Sequence, residues 1–225
     1  MTDRHLVLGG TRGIGRAYAE HFARDGVGLD LVGRTESDLR EARAVLLEVG
    51  APSVELHRGD LRDAEFRREL TSSFDPEEFS GIFLGGPSPT PGELETVAAE
   101  AIGSAAETCL AYPLSIFNWL EEGDWDGMLT VLSSSATREE LCGHEFFLSA
   151  LLRRPMERLL DCYRSHDGID ARVWRPKVVL TSLSRRYARS LPEFEEDASP
   201  RDALRSHIEV DEVPTASQYV TRRLT

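Results

Sequence analysis

Lysine is almost absent from this chain. Lys177 is the only one among 26 basic side chains, set against 39 acidic ones, and the formal net charge of the 225 residues is −13. No long basic stripe exists, which argues against a surface built to neutralise a phosphate backbone. No apolar run approaches the roughly 18 residues needed to cross a bilayer. The opening Met1-Thr2-Asp3-Arg4-His5 does not read as a signal peptide, so a cytoplasmic location is expected. The cysteines are only three, Cys109, Cys142 and Cys162, widely spaced and without a CxxC pair. A disulfide framework is therefore not expected, and a reduced protein is. Repeats, low-complexity tracts and an interdomain linker are also lacking. The remaining balance, 40% apolar and 29% charged, excludes disorder, collagen and coiled coil and fits one domain over residues 1–225.

Apolar runs and helical patterns alternate along the chain. Strands are expected at 5–8, 29–32, 53–57, 82–84, 128–132 and 169–174, where short apolar stretches are bounded by glycine and polar residues. Helices are expected at 14–24, stopped by Gly26, and at 36–49, capped by Thr35 or Ser37 and closed by Gly50. Further helices are expected at 61–74 with Asp60 as cap, at 93–120 with a break near Pro113, at 142–165 with a kink at Pro155, and at 210–223. A polar stretch at 182–200 reads as a short lid. This order demands parallel strands joined by helical crossovers. The predicted fold class is α/β, a single doubly wound Rossmann-type sheet with helices on both faces.

The first strand runs into Gly9-Gly10-Thr11-Arg12-Gly13-Ile14-Gly15 and then a helix. Glycines there permit a tight turn and close approach of the backbone to a pyrophosphate, and the helix start supplies free N–H groups. Arg34 directly follows the second strand, where an acid would suit a ribose hydroxyl and an arginine suits a 2′-phosphate. Arg12, inside the turn, adds a second cation. These residues predict NADP as cofactor rather than NAD. Asp60 either accepts from the adenine amino group or caps the third helix.

These pieces resemble the short-chain dehydrogenases/reductases over nearly the whole chain. The matching segments are the glycine turn, Arg34, Asp60-Leu61, Ser133-Ser134, and Arg175-Pro176-Lys177-Val178-Val179-Leu180-Thr181. Gly85-Gly86-Pro87 resembles a 3-oxoacyl-ACP-reductase-like branch. The resemblance implies that Gly9, Thr11, Arg12, Gly13, Ile14, Gly15, Arg34, Asp60, Leu61, Gly85, Pro176, Val179 and Thr181 hold the cofactor. It also implies a homodimer or homotetramer paired through the helices near 93–120 and 142–165. The seventh strand usual in the family is missing, so a C-terminally shortened sheet is expected.

The chemistry of that family needs a tyrosine, a lysine one helical turn on, a serine and an asparagine. The serine is Ser134 or Ser133. At the tyrosine and lysine positions stand Phe146 and Ala150, or Phe147 and Leu151 in the neighbouring register, and Cys109 falls near the asparagine position. Phenylalanine donates no proton and alanine tunes no pKa. Candidate replacements are Ser149 and Arg153, which share a helix face with Phe146, together with His144 and Lys177. Each also has a structural reading. Arg153 would pair with Glu157 on the surface, His144 would be an ordinary loop histidine, and Lys177 would lie beside the lid. Two functions are carried forward: an atypical NADP-dependent oxidoreductase acting on a small carbonyl or hydroxyl substrate, and a catalytically silent NADP-binding pseudoenzyme.

Overall fold

A computed structural model describes residues 3–85, 98–123, 125–133, 147–164 and 170–174. Six strands, β1 (Arg4–Leu8), β2 (Gly28–Gly33), β3 (Val54–Arg58), β4 (Gly81–Leu84), β5 (Met128–Leu132) and β6 (Asp170–Trp174), form one sheet in the order β3-β2-β1-β4-β5-β6. Every pairing is parallel. The helices are α1 (Gly13–Arg24), α2 (Glu36–Val49), α3 (Ala64–Ser73), α4 (Ala99–Ala106), α5 (Tyr112–Glu121) and α6 (Phe147–Arg164).

Strand residues alternate between two cores. Leu6, Leu8, Ile82 and Leu84 pack with Phe117, Leu120 and Leu160 on one face. Val7, Leu29, Leu31 and Phe83 pack with Tyr18, Leu39 and Leu46 on the other. Both faces of the sheet are therefore covered, which is why the strands read as continuous apolar runs.

One expected boundary is corrected. The third helix starts at Ala64, not at residue 61, and its cap is Asp63, whose side chain accepts from the Glu65 N–H. Asp60 instead opens a turn in which its carbonyl accepts from the Asp63 N–H. The helix expected over 93–120 with a break near Pro113 is divided there, and residues 93–97 lie outside the described ones. Between α4 and α5 the chain widens into a π-turn, Glu107–Ala111, in which the Tyr112 N–H donates to the Glu107 carbonyl. Pro113 gives the reason. It offers no N–H to the carbonyl four residues back, and its ring would crowd that carbonyl in a regular helix. Helix α6 does contain Pro155. The lid at 182–200 and the helix at 210–223 lie outside the described residues.

One charge sits inside the sheet. Asp30 on β2 is fully buried, and Arg4 from β1 grips it through Nε and Nη2 at 2.5 and 2.8 Å. His57 from β3 adds a contact at 2.7 Å. Burial alone would push the Asp30 carboxyl up, but the hydrogen bonds from His57 and Arg4, with the Arg4 charge, outweigh it and hold it below the usual range. The Arg4 guanidinium also lies 5.1 Å from the centre of the Phe79 ring. Asp30→Asn should therefore cost about 2–4 kcal/mol of stability. Urea unfolding at neutral pH checks this; a change below about 0.5 kcal/mol, the size of an ordinary surface substitution, would show that the network holds nothing together.

Candidate functional site

The turn after β1 is built from glycine geometry. Gly9 and Gly13 adopt φ of 87° and 56°, the left-handed region that side chains disfavour. The Gly9 N–H donates to the Val32 carbonyl, and the Gly85 N–H donates to the Leu8 carbonyl. A Cβ on Gly15 would lie 2.3 Å from the Gly9 carbonyl oxygen, and one on Gly85 would lie 2.4 Å from that of Leu8. Three backbone segments thus meet closer than any side chain allows. Helix α1 then starts at Gly13, with Arg12 at its N-cap making no side-chain cap and no acid in the first turn. Its first N–H groups and positive dipole end face outward at the C-terminal edge of β1, between β2 and β4, the topological switch point of the sheet. The neighbouring turn residues are Thr11, whose carbonyl lies 3.5 Å from Arg16 Nη1, and Ile14, which packs against the core.

On the β2 side, Arg34 is exposed just past the strand. Arg12 is also exposed but is held by Asp38 at 2.6 Å. That carboxylate was not singled out in the sequence reading; its place in the first turn of α2 was the available signal. The Asp60 carboxylate is gripped by Arg62, at 2.6 Å from Nη2, and that hydrogen bond keeps it below the usual carboxylate range against the opposing effect of burial. Leu61 packs on the core beside it.

On the other side of the switch point, a narrow cleft lies at the ends of β4 and β5, lined in part by Gly85, Thr108, Cys109, Tyr112 and Arg153. Arg153 is buried, and its Nη1 donates to the Leu132 carbonyl at 3.4 Å. The surface position expected for Arg153 is thereby corrected: α6 packs this face under the end of β5. Ser133 is buried, and its hydroxyl donates to Glu157. Cys109 is a buried free thiol at the cleft. Ser149 lies on α6 one turn before Arg153, its side chain outside the described set. Ser134, His144, Phe146, Pro176, Lys177, Val179, Thr181 and the Gly86-Pro87 step also lie outside the described residues. Tyr112 and Thr108 were missed by sequence reasoning. Only the Tyr112-Pro113 step hinted that the helix there is not regular.

A parallel sheet in this order, with a glycine turn at its switch point, is a doubly wound α/β fold. Solved short-chain dehydrogenases share it. A short-chain dehydrogenase from Sphingobium yanoikuyae, solved in complex with NADPH, superposes with a TM-score of 0.80 at 17% identity over 98% of this chain and 92% of that one. A 3-oxoacyl-(acyl-carrier-protein) reductase from Agrobacterium tumefaciens, with NADP bound, gives 0.77 at 16% identity over 91% and 85%. An alcohol dehydrogenase from Thermococcus sibiricus, complexed with 5-hydroxy-NADP, gives 0.74 at 19% identity over 94% and 91%. At these identities the likeness establishes the fold. In sequence, a hydroxysteroid 11-beta-dehydrogenase 1-like protein from Xenopus tropicalis is 38% identical over 69 residues, 31% of this chain and 24% of that protein. No family model matches the chain. Among the described residues, no helix is long and apolar enough to cross a membrane.

Proposed function

We propose that this chain is an NADP(H)-dependent oxidoreductase of the short-chain dehydrogenase/reductase type, acting on a small carbonyl or hydroxyl substrate through an atypical site. The observation that carries the reading is the glycine turn. Its backbone is packed too closely for any Cβ at Gly15, and it presents the uncapped start of α1 where a pyrophosphate would bind. Gly9, Thr11, Arg12, Gly13, Ile14 and Gly15 hold that group, with Gly85 at the nicotinamide side. The cofactor supplies hydride to a carbonyl carbon, and the oxygen takes up a proton. Arg153, buried at the cleft, is the replacement cation whose side chain is described; Ser134, Ser149, His144 and Lys177 complete the candidate set. The sequence Gly85-Gly86-Pro87 supports assignment to the 3-oxoacyl-ACP-reductase-like branch. A cytoplasmic homodimer or homotetramer paired through α4, α5 and α6 goes with this reading, and the exposed Ile102 and Leu114 suit such a surface.

Preference for NADP(H) over NAD(H) rests on Arg34. Arg12 contributes less than a free arginine would, because Asp38 already holds it. One charge-assisted contact to the 2′-phosphate should favour NADPH by about 10- to 150-fold, and Arg34→Asp should erase or reverse that ratio. Calorimetric titration of both cofactors tests it; equal affinity in the wild type overturns the assignment. A second reading, the silent NADP-binding pseudoenzyme, draws on one observation: Phe146 and Ala150 stand where the tyrosine and lysine would be. Tight NADPH binding without oxidation of NADPH by any of a panel of activated carbonyl compounds would favour it.

A further inference from the structure

We propose that Asp38 sets how tightly this chain holds NADP(H): it keeps Arg12 in an ion pair that the 2′-phosphate must displace, which loosens NADPH and leaves NADH untouched. The inference rests on the NADP(H) reading and names a residue that tunes it. The pair joins two elements at one edge of the sheet. Arg12 is the N-cap of α1, and Asp38 lies in the first turn of α2. Arg12 Nη2 donates to the Asp38 carboxylate at 2.6 Å. The glycine turn and the end of β2 are in close contact there, since a Cβ on Gly33 would stand 2.8 Å from Thr11 Cγ2. Arg34 follows Gly33 and is exposed. The end of β3 lies alongside, because the Gly59 N–H donates to the Gly33 carbonyl, and the Arg34 charge helps to keep the Asp60 carboxyl low. Arg12 and Arg34 thus stand at the carboxyl ends of β1 and β2, where the adenosine ribose of a dinucleotide meets this kind of sheet.

The two members of the pair are unequal. The Arg12 side chain is 64% exposed and that of Asp38 is 15% exposed. The guanidinium is therefore the partner with room to move, and a phosphate dianion with three acceptor oxygens draws it away from the carboxylate. Such an exchange gains less than a new contact, because one charge-assisted bond is given up as the other forms. The helix does not depend on this acid, for Glu36 also stands in its first turn and complements the dipole. A cofactor that carries hydride must leave after each turnover, and a looser hold speeds its release.

The test uses the full chain, NADPH and NADH, and the variants Asp38→Asn, Arg12→Ala and the two combined. Titration calorimetry gives the affinities, stopped-flow fluorescence gives the rate of NADPH release, and circular dichroism confirms folding. Asp38→Asn should bind NADPH about ten-fold more tightly, the lower end for a charge-assisted contact, and should hold NADH within about two-fold of wild type. NADPH release should slow in proportion. The loss of NADPH affinity on Arg12→Ala should be at least about three-fold larger in the Asp38→Asn protein than in wild type. Asp38→Ser repeats the comparison should Asp38→Asn not fold. Unchanged or weaker NADPH binding on removal of the Asp38 charge, an equal gain for NADH, or a gain that survives Arg12→Ala would each overturn the proposal. None of these would touch the NADP(H) reading in a wild type that prefers NADPH. Failure of folded wild type to bind either cofactor would sink that reading, and this proposal with it.

Discussion

Gly15→Ala should lose NADPH binding by at least about 100-fold while the chain keeps its fold. The added methyl would stand 2.3 Å from the Gly9 carbonyl oxygen, 3.1 Å from the Gly9 carbonyl carbon and 3.3 Å from the Gly10 Cα. All three neighbours are backbone, so no side chain can swing aside. The turn itself must move, and the N–H groups at the start of α1 move with it. Overpacking at such a point costs about 1–3 kcal/mol or more, and 100-fold corresponds to about 2.7 kcal/mol. Gly103→Ala is the internal comparison, since a Cβ there meets nothing within 4 Å; it should bind NADPH as the wild type does. Fluorescence titration of NADPH, with circular dichroism to confirm folding, measures both. Wild-type affinity in Gly15→Ala would remove the phosphate-binding role of this turn.

Lowering the pH from 6.5 towards 4 should cost this protein about 3 kcal/mol of stability through His5 alone. His5 begins the apolar stretch of β1 and is 4% exposed. The Tyr18 hydroxyl lies 3.1 Å from its Nδ1, and the Phe22 ring centre is 4.2 Å away. A Cβ on Gly81 would stand 2.5 Å from its Nε2. Burial lowers its pKa to about 4, with Asp3 opposing and His21 assisting. The folded pKa lies below the unfolded value of about 6.5. The folded chain thus keeps a neutral ring over a range in which the unfolded chain binds a proton. The stability is fully present above pH 6.5 and is lost as the pH falls through the folded pKa. His5→Gln does not titrate and should flatten that part of the pH profile. Urea unfolding of both proteins at pH 7, 5.5 and 4.5 gives the comparison. Parallel profiles would show that His5 does not carry the effect.

The elements that were legible in the sequence are those governed by near neighbours. The glycines at 9, 13 and 15 announce a turn between a strand and a helix because positive φ and close approach are demands that short segments make by themselves. Apolar runs flanked by helical patterns imply a parallel sheet, since parallel strands need a crossover between them. Caps were less certain. Asp60 and Asp63 stand three residues apart, both able to cap, and the turn that joins them selects Asp63.

By itself, then, the chain's sequence determined the order of strands and helices, the place of the glycine turn, and the absence of a tyrosine–lysine pair on α6, because each is a matter of local spacing or of residue identity. The tertiary structure decided which polar groups are buried and against what. Asp30 reads as one polar residue in a strand until β1 and β3 bring Arg4 and His57 to it from 26 and 27 positions away. Arg12 reads as a free cation until α2 folds Asp38 onto it. Arg153 reads as a surface residue or as a buried cation, and its packing beneath β5 buries it. Tyr112 carries no motif at all. Its hydroxyl is buried without a hydrogen-bond partner, and whether a donor is satisfied depends on every surface that closes over it, which spacing along one chain does not encode.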